Sequence, residues 1–188
     1  MGIHVINTKL DGVAVIAPDI IRDDRGFFLE SYNRRSFLQQ GIDLEFVQDN
    51  HSRSVRGVLR GIHFQGMPAP QVKLVRCTVG RILDVAVDLR AGSPTFGEWV
   101  AEELSADNGK QLLVPVGFGH AFATLSDVAE VQYKCTDYYA PAAEGSVIWN
   151  DPDLCIAWPY SVPILSGKDQ KAKTLQEYLR APAFVYDR

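Results

Sequence analysis

Between about residue 44 and residue 140 the chain is a succession of short segments in which apolar and polar residues alternate. They read GVLRGIHF, QVKLVRCTV, RILDVAVDL, FGEWVAEEL, KQLLVPV, HAFATL and AEVQYKCTDYY. Period-two alternation rich in β-branched and aromatic residues is the mark of β-strands. The spacers are turn-sized, as in Thr78-Val79-Gly80-Arg81, Ala91-Gly92-Ser93-Pro94 and Ala106-Asp107-Asn108-Gly109. None has room for the crossover helix that a parallel pair requires, so the strands must pair mainly antiparallel. The pattern predicts an all-β sandwich or jelly-roll barrel.

Helical signals are confined to the margins. Asn33–Gln40 ends at Gly41, which suits a short helix with a glycine just past its end. A second helix is expected over Ser166–Leu175, where Ser166 and Asp169 have the spacing of a capping box. Both are accessory to the sheet, one in the N-terminal part and one near the C-terminus.

No linker, repeat or charge block interrupts the 188 residues, so residues 1–188 are read as one domain. With 46% hydrophobic residues the chain is too apolar for a disordered protein, and 19 basic against 23 acidic residues leave a net charge of −4. That balance is not basic enough for a general nucleic-acid binder. No apolar run approaches the roughly 18 residues of a membrane span, and MGIHVINTKLDG lacks a basic stretch followed by an apolar core. A cytoplasmic protein with no membrane partner is the expectation. Cys77, Cys135 and Cys155 are dispersed and odd in number, which suggests neither a disulfide framework nor a thiolate zinc site.

Strand alternation then sorts polar residues by face. In AEVQYKCTDYY, Tyr133 shares a face with Val131, Cys135 and Tyr139, opposite Gln132, Lys134 and Thr136. In QVKLVRCTV, Lys73 lies with Val75, Cys77 and Val79, on a strand whose two faces are both mixed. RILDVAVDL is apolar on both faces, as expected where both are covered, so Asp84 and Asp88 on it need partners. Taken alone, Lys73 reads as an edge lysine, Tyr133 as strand packing and Asp169 as a helix-terminal acid. Of the four histidines, His63 and His120 stand in strand-like apolar contexts, whereas His4 and His51 do not.

Pro115-Val116-Gly117-Phe118-Gly119-His120 has the P-x-G-x-x-H form of the second motif of the cupin barrels and resembles it. The first cupin motif supplies two closely spaced histidines and a glutamate, whereas this chain has His63-Phe64-Gln65 with no acid before Asp84. A metal site wants three or four ligands, and two histidines leave it incomplete. The chain is therefore read as a cupin-type jelly roll that uses neither metal nor cofactor, with proton chemistry as its business.

Over nearly its whole length the sequence is similar to the dTDP-4-dehydrorhamnose 3,5-epimerases, the metal-free cupins of deoxysugar biosynthesis. The similarity runs through DDRGFFLES, FVQDNHSRSVRGVLRGIHFQ, KLVRCTVGRILDVAVDLRAGSPTFGEW, VGFGHAFATLSD, EVQYKCTDYYAP, WNDPDLCIAWP and PILSGKD. It implies His63 as catalytic base, Asp169 as the carboxylate that orients it, Lys73 as the residue facing the substrate C4 oxygen, and Tyr133 as the acid on the opposite face. It also implies that Arg25, Phe27, Glu30, Gln48, Asn50, Arg60, His120 and Tyr139 bind a dTDP-linked 4-keto-6-deoxyhexose. The first few of these would come from the neighbouring subunit of a homodimer. Val72 stands where the family commonly has glycine, after the loop Gly66–Ala69.

These residue types suit inversion beside a ketone. An α-proton lies on the order of ten pK units above a neutral imidazole, at about 1.36 kcal/mol per unit, so the enolate oxygen must be stabilised. An ammonium such as Lys73 supplies several kcal/mol in a water-shielded pocket. Histidine is intrinsically suited to act as a base near neutrality, which fits His63, and a neutral phenol such as Tyr133 can return a proton to the other face. Arg25 and Arg60 have the forked donors that suit a pyrophosphate, and Phe27 or Tyr139 offers thymine a ring to stack on. The activity expected is epimerisation at C3 and C5 of dTDP-4-dehydro-6-deoxy-D-glucose. A single-centre epimerase and a non-catalytic nucleotide-sugar-binding cupin are the alternatives.

Overall fold

The structure is a computed structural model that describes residues 1–187. Thirteen strands run β1 (Ile3–Asn7), β2 (Ala14–Pro18), β3 (Ile20–Asp23), β4 (Gly26–Leu29), β5 (Gln48–Val55), β6 (Leu59–Gln65), β7 (Lys73–Val79), β8 (Arg81–Asp88), β9 (Trp99–Ser105), β10 (Gln111–Val114), β11 (Phe118–Thr124), β12 (Val128–Cys135) and β13 (Glu144–Ser146). One sheet has the order β1-β2-β10-β7-β12-β5 and the other β13-β6-β11-β8-β9, with β3-β4 as a separate hairpin. Every ladder between named strands is antiparallel. This is the all-β jelly roll that the turn-sized spacers required.

Three apolar layers explain why several strands are hydrophobic on both sides. Between the sheets lie Val15, Val75, Cys77, Ile82, Ala86, Leu104, Phe122 and Val131. The outer face of the second sheet buries Ile62, Phe64, Val85, Val87 and Leu89 beneath Leu154, Leu175, Tyr178 and Phe184 from the C-terminal segment. The outer face of the first sheet buries Ile16 and Leu74 beneath Phe37, with Ile42, Leu44 and Phe46 packed around them. Burial of each such Leu, Ile or Phe side chain contributes about 1.5–3 kcal/mol. Each of the two acids of β8 has a partner. Asp88 accepts from Arg90, Ser93 and Thr95, and Asp84 pairs with His120.

The first predicted helix is α1 (Arg34–Gln39), capped by the Asn33 side chain, with Gly41 at φ +78° donating its N–H to Leu38. The second departs from expectation. Residues 169–171 form only a 3₁₀ turn, and α2 spans Leu175–Leu179. Thr174 and Glu177 form the true capping box, while Lys173 is held extended in a bridge to Val147. Ser166 and Asp169 do bond reciprocally, but they close a turn that presents Asp169 to the barrel. Among the described residues no helix is long and apolar enough to cross a membrane.

Candidate active site

The barrel mouth between β5, β7 and β12 on one side and β6 and β13 on the other encloses a cavity of about 350 Å³. It is lined by Gln48, Asn50, His63, Phe64, Gln65, Gln71, Lys73, Tyr133, Tyr139 and Glu144. Six residues expected from sequence therefore meet in one place: Gln48, Asn50, His63, Lys73, Tyr133 and Tyr139. Cross-strand register accounts for this. Tyr133 stands opposite both Asn50 of β5 and Val75 of β7, and Cys135 stands opposite Gln48 and Lys73, so all of these side chains share the inner face.

His63 Nε2 lies 2.5 Å from Asp169 Oδ1, whose carboxyl is almost fully buried. Burial raises the carboxyl pKa, but the bonds from His63 and Ser166 and the charge of His63 outweigh it and leave Asp169 below the usual range. An ionised carboxylate only accepts, so the imidazole carries its proton on Nε2 and donates it to Asp169. The basic nitrogen is then Nδ1. Across the cavity, the Lys73 ammonium sits 5.9 Å from the centre of the Tyr133 ring. Burial pushes Lys73 below the ordinary lysine range, opposed by the charges of Cys135, Asp84 and Glu144. Burial likewise pushes the Tyr133 phenol up, so at neutral pH it is a proton donor.

Arg60 reaches the same face by an irregularity. His120 opposes His63 and Phe122 opposes Arg60, so one residue of β11, Ala121, stands against two of β6, Gly61 and Ile62, a β-bulge. The extra residue cancels the odd spacing and turns Arg60 and His63 to one side. Gly61 is at φ +135°, and a Cβ there would fall 2.2 Å from that of Ala121. Only glycine fits so close an approach. The Arg60 guanidinium crosses to the other sheet and donates to Ser54 Oγ and the Arg53 carbonyl.

His120 is inward-facing but buried beside the cavity, with Nε2 2.8 Å from Asp84 Oδ1. Arg25, Phe27 and Glu30 stand apart from the cavity within their own chain. Arg25 is bound by Asp23, Phe27 is 54% exposed on the β3–β4 hairpin, and Glu30 accepts from Asn33 and Ser36 at the start of α1. Among the described residues no group of three His, Cys, Asp or Glu side chains is placed to hold a metal ion.

Sequence reasoning passed over Glu144, Gln65 and Gln71. Glu144 accepts from Tyr139 Oη and pairs with Lys168, which leaves its carboxyl below the usual range although burial alone would raise it. Gln65 ties the rim together, donating to the carbonyls of Ala69 and Tyr138 and accepting from the Ala140 N–H. The Gly66–Ala69 loop is thereby anchored, and Val72 is held through reciprocal bonds with Thr136, so valine is accommodated there.

An imidazole bonded to a buried carboxylate, an ammonium and a phenol around one cavity can remove a proton, stabilise an oxyanion and return a proton. Residues 7–177 match the model of the dTDP-4-dehydrorhamnose 3,5-epimerase family. The chain belongs to that family. It is 52% identical over 177 residues to the dTDP-4-dehydrorhamnose 3,5-epimerase of Salmonella typhimurium, covering 93% of this chain and 97% of the relative. It is 54% identical over 167 residues to that of Pseudomonas aeruginosa, covering 88% and 92%. The 3,5-epimerase of Legionella pneumophila, solved in complex with dTDP-4-keto-L-rhamnose, superposes with a TM-score of 0.94 at 46% identity, over 99% of this chain and 100% of that one. The epimerase fold and the cupin-like jelly roll are thus the same architecture.

Proposed function

We propose that this epimerase inverts C3 and C5 of dTDP-4-dehydro-6-deoxy-D-glucose, giving dTDP-4-dehydro-L-rhamnose, with His63 Nδ1 as the base. Asp169 keeps the His63 proton on Nε2 and stabilises the imidazolium formed when the base is loaded. Removal of a proton beside the C4 ketone puts negative charge on its oxygen, and Lys73 is the cation that faces it. Tyr133 donates to the opposite face of the resulting enolate, which inverts the carbon. The same cycle at the second carbon uses the same groups, because both carbons flank one ketone. No metal or other cofactor has a part in this scheme.

The observation that carries the reading is the His63–Asp169 pair opening onto the same cavity as Lys73 and Tyr133. A protein that only held a nucleotide sugar would need no base and acid on opposite walls. Gln48, Asn50, Arg60 and Tyr139 bind the substrate, with Tyr139 offering a ring to thymine. His120 completes the site from behind.

The reading includes a single domain over residues 1–188, a homodimer and a cytoplasmic location. The dimer supplies Arg25, Phe27 and Glu30, which lie outside the cavity of their own chain. Exposed Phe27 and Phe28 on the β3–β4 hairpin support it, being 54% and 64% accessible. Three free cysteines suit a reducing compartment.

Incubation with the 4-keto sugar nucleotide in deuterated water tests the reaction. Deuterium at both C3 and C5 is the expected result. Deuterium at one carbon would make this a single-centre epimerase, and none at all would overturn the enzymatic reading.

A further inference from the structure

Two groups on facing strands lack what the other has. Asp84 is fully buried on β8, with Oδ1 engaged by His120 and Oδ2 without a hydrogen-bond partner. A buried carboxylate oxygen without a partner forfeits its hydration and gets nothing in return. On β7, Lys73 carries three donors. Lys9, Lys110, Lys134 and Lys168 each meet a carboxylate, whereas Lys73 has none within ion-pair distance among the described residues. Both lie on the inner faces of their strands, Lys73 in line with Val75 and Cys77 and Asp84 between Ile82 and Ala86. Burial pushes Lys73 below and Asp84 above the ordinary range, and the charge of each opposes the shift of the other.

We propose that Asp84 is a positioning residue of the reaction: from behind the cavity its carboxylate keeps Lys73 an ammonium and draws it toward the inner wall, while the His120 Nε2–H keeps Asp84 ionised. The inference rests on the reading that Lys73 faces the substrate oxygen. It assigns to His120 and Asp84 a task different from that of His63 and Asp169, although the two pairs look alike. His63 and His120 are direct partners on adjacent strands, but only His63 lines the cavity. The pair that reaches the substrate moves protons, and the pair behind it supplies a fixed negative charge.

Such a charge is needed because burial works against Lys73. The titratable groups around Lys73 are Tyr133 and Cys135 from β12, Asp84 from β8, itself bonded to His120 of β11, and His63 of β6 and Glu144 of β13 on the same cavity. Tyr133 and Cys135 both have their pKa values raised by burial, so both are neutral near pH 7. Glu144 is committed to Lys168 and Tyr139 at the rim. Asp84 is the buried acid left to balance the ammonium.

The test is Asp84→Asn, which removes the charge and keeps the shape. Lys73 is titrated by NMR in ¹³C-lysine-labelled protein, its signal identified by its absence from Lys73→Met. An opposite charge nearby shifts a pKa by about one unit or more, so the Lys73 midpoint should fall by about that much in Asp84→Asn. The alkaline limb of kcat should move to lower pH with it, and kcat should drop more than KM rises. Coupling is reciprocal, so the Asp84 carboxyl midpoint must rise in Lys73→Met, a measurement that does not require Asp84→Asn to fold. An unchanged Lys73 midpoint in Asp84→Asn, or an unchanged Asp84 midpoint in Lys73→Met, overturns the proposal. Neither titration needs turnover, so failure of the coupling and failure of the catalytic reading are told apart.

Discussion

His63 Nε2 points at Asp169 Oδ1 from 2.5 Å, across 106 positions of sequence. The consequence is that the proposed base and the acid that would orient it come from separate elements, a barrel strand and a C-terminal turn. Replacing Asp169 by Asn keeps the shape but presents either an amide donor or a weak acceptor to the imidazole, so the wrong tautomer becomes available. A loss of about 100-fold or more in kcat is expected, by analogy with general-base histidines deprived of their carboxylate. Steady-state kinetics on the folded variant check this.

The same pair makes a prediction about stability. Asp169 has a folded-state pKa below its ordinary value of 3.8. Its contribution is therefore fully present above that value and is lost as the pH falls through the lower folded pKa. Wild type and Asp169→Asn should differ in denaturant stability near neutrality, and the gap should close in the acid range below 3.8. A gap that stayed constant through that range would contradict the assignment.

Gly61 is where local backbone decides the site. Gly61→Ala forces a Cβ into Ala121 at a positive φ and should cost about 2–4 kcal/mol in denaturant unfolding. Since the bulge aims Arg60 and His63 together, activity should fall further than loss of folded protein explains. Comparing kcat per folded molecule with the unfolding free energy separates the two effects.

A site shared between subunits has a signature of its own. Arg25→Ala and His63→Ala should each be nearly inactive, the first by weakening pyrophosphate binding and the second by removing the base. Unfolded and refolded together, they should recover about one quarter of wild-type activity, because random pairing gives half mixed dimers with one intact site each. No recovery in a confirmed mixed dimer would place Arg25 outside the partner's site.

Alternation along strands was enough to place Tyr133, Cys135 and Val131 on one face, and the register of β12 agrees. It was enough, too, to show that Asp84 needed a partner, since a covered strand cannot hold an unpaired acid. It could not have aimed Arg60, because a bulge resets the period without any mark beyond one glycine. The helix expected over Ser166–Leu175 failed for a related reason: Ser166 and Asp169 have cap spacing, but Thr174 and Glu177 hold the stronger cap, and the bridge from Lys173 to Val147 keeps the intervening chain extended. Glu144 was illegible because its strand is three residues long, too short to show any period. The resemblance to the epimerases supplied what periodicity could not, namely that His63, Lys73, Tyr133 and Asp169 belong together.

The central claim is that His63 and Tyr133 act on opposite faces of one enolate. It is tested most directly by following deuterium exchange and inversion separately in His63→Ala and Tyr133→Phe. His63→Ala should abolish exchange at both carbons, a loss of at least about 100-fold. Tyr133→Phe should still wash deuterium into the substrate while forming little inverted product. Wild-type exchange in His63→Ala, or inversion at the wild-type rate in Tyr133→Phe, would contradict it.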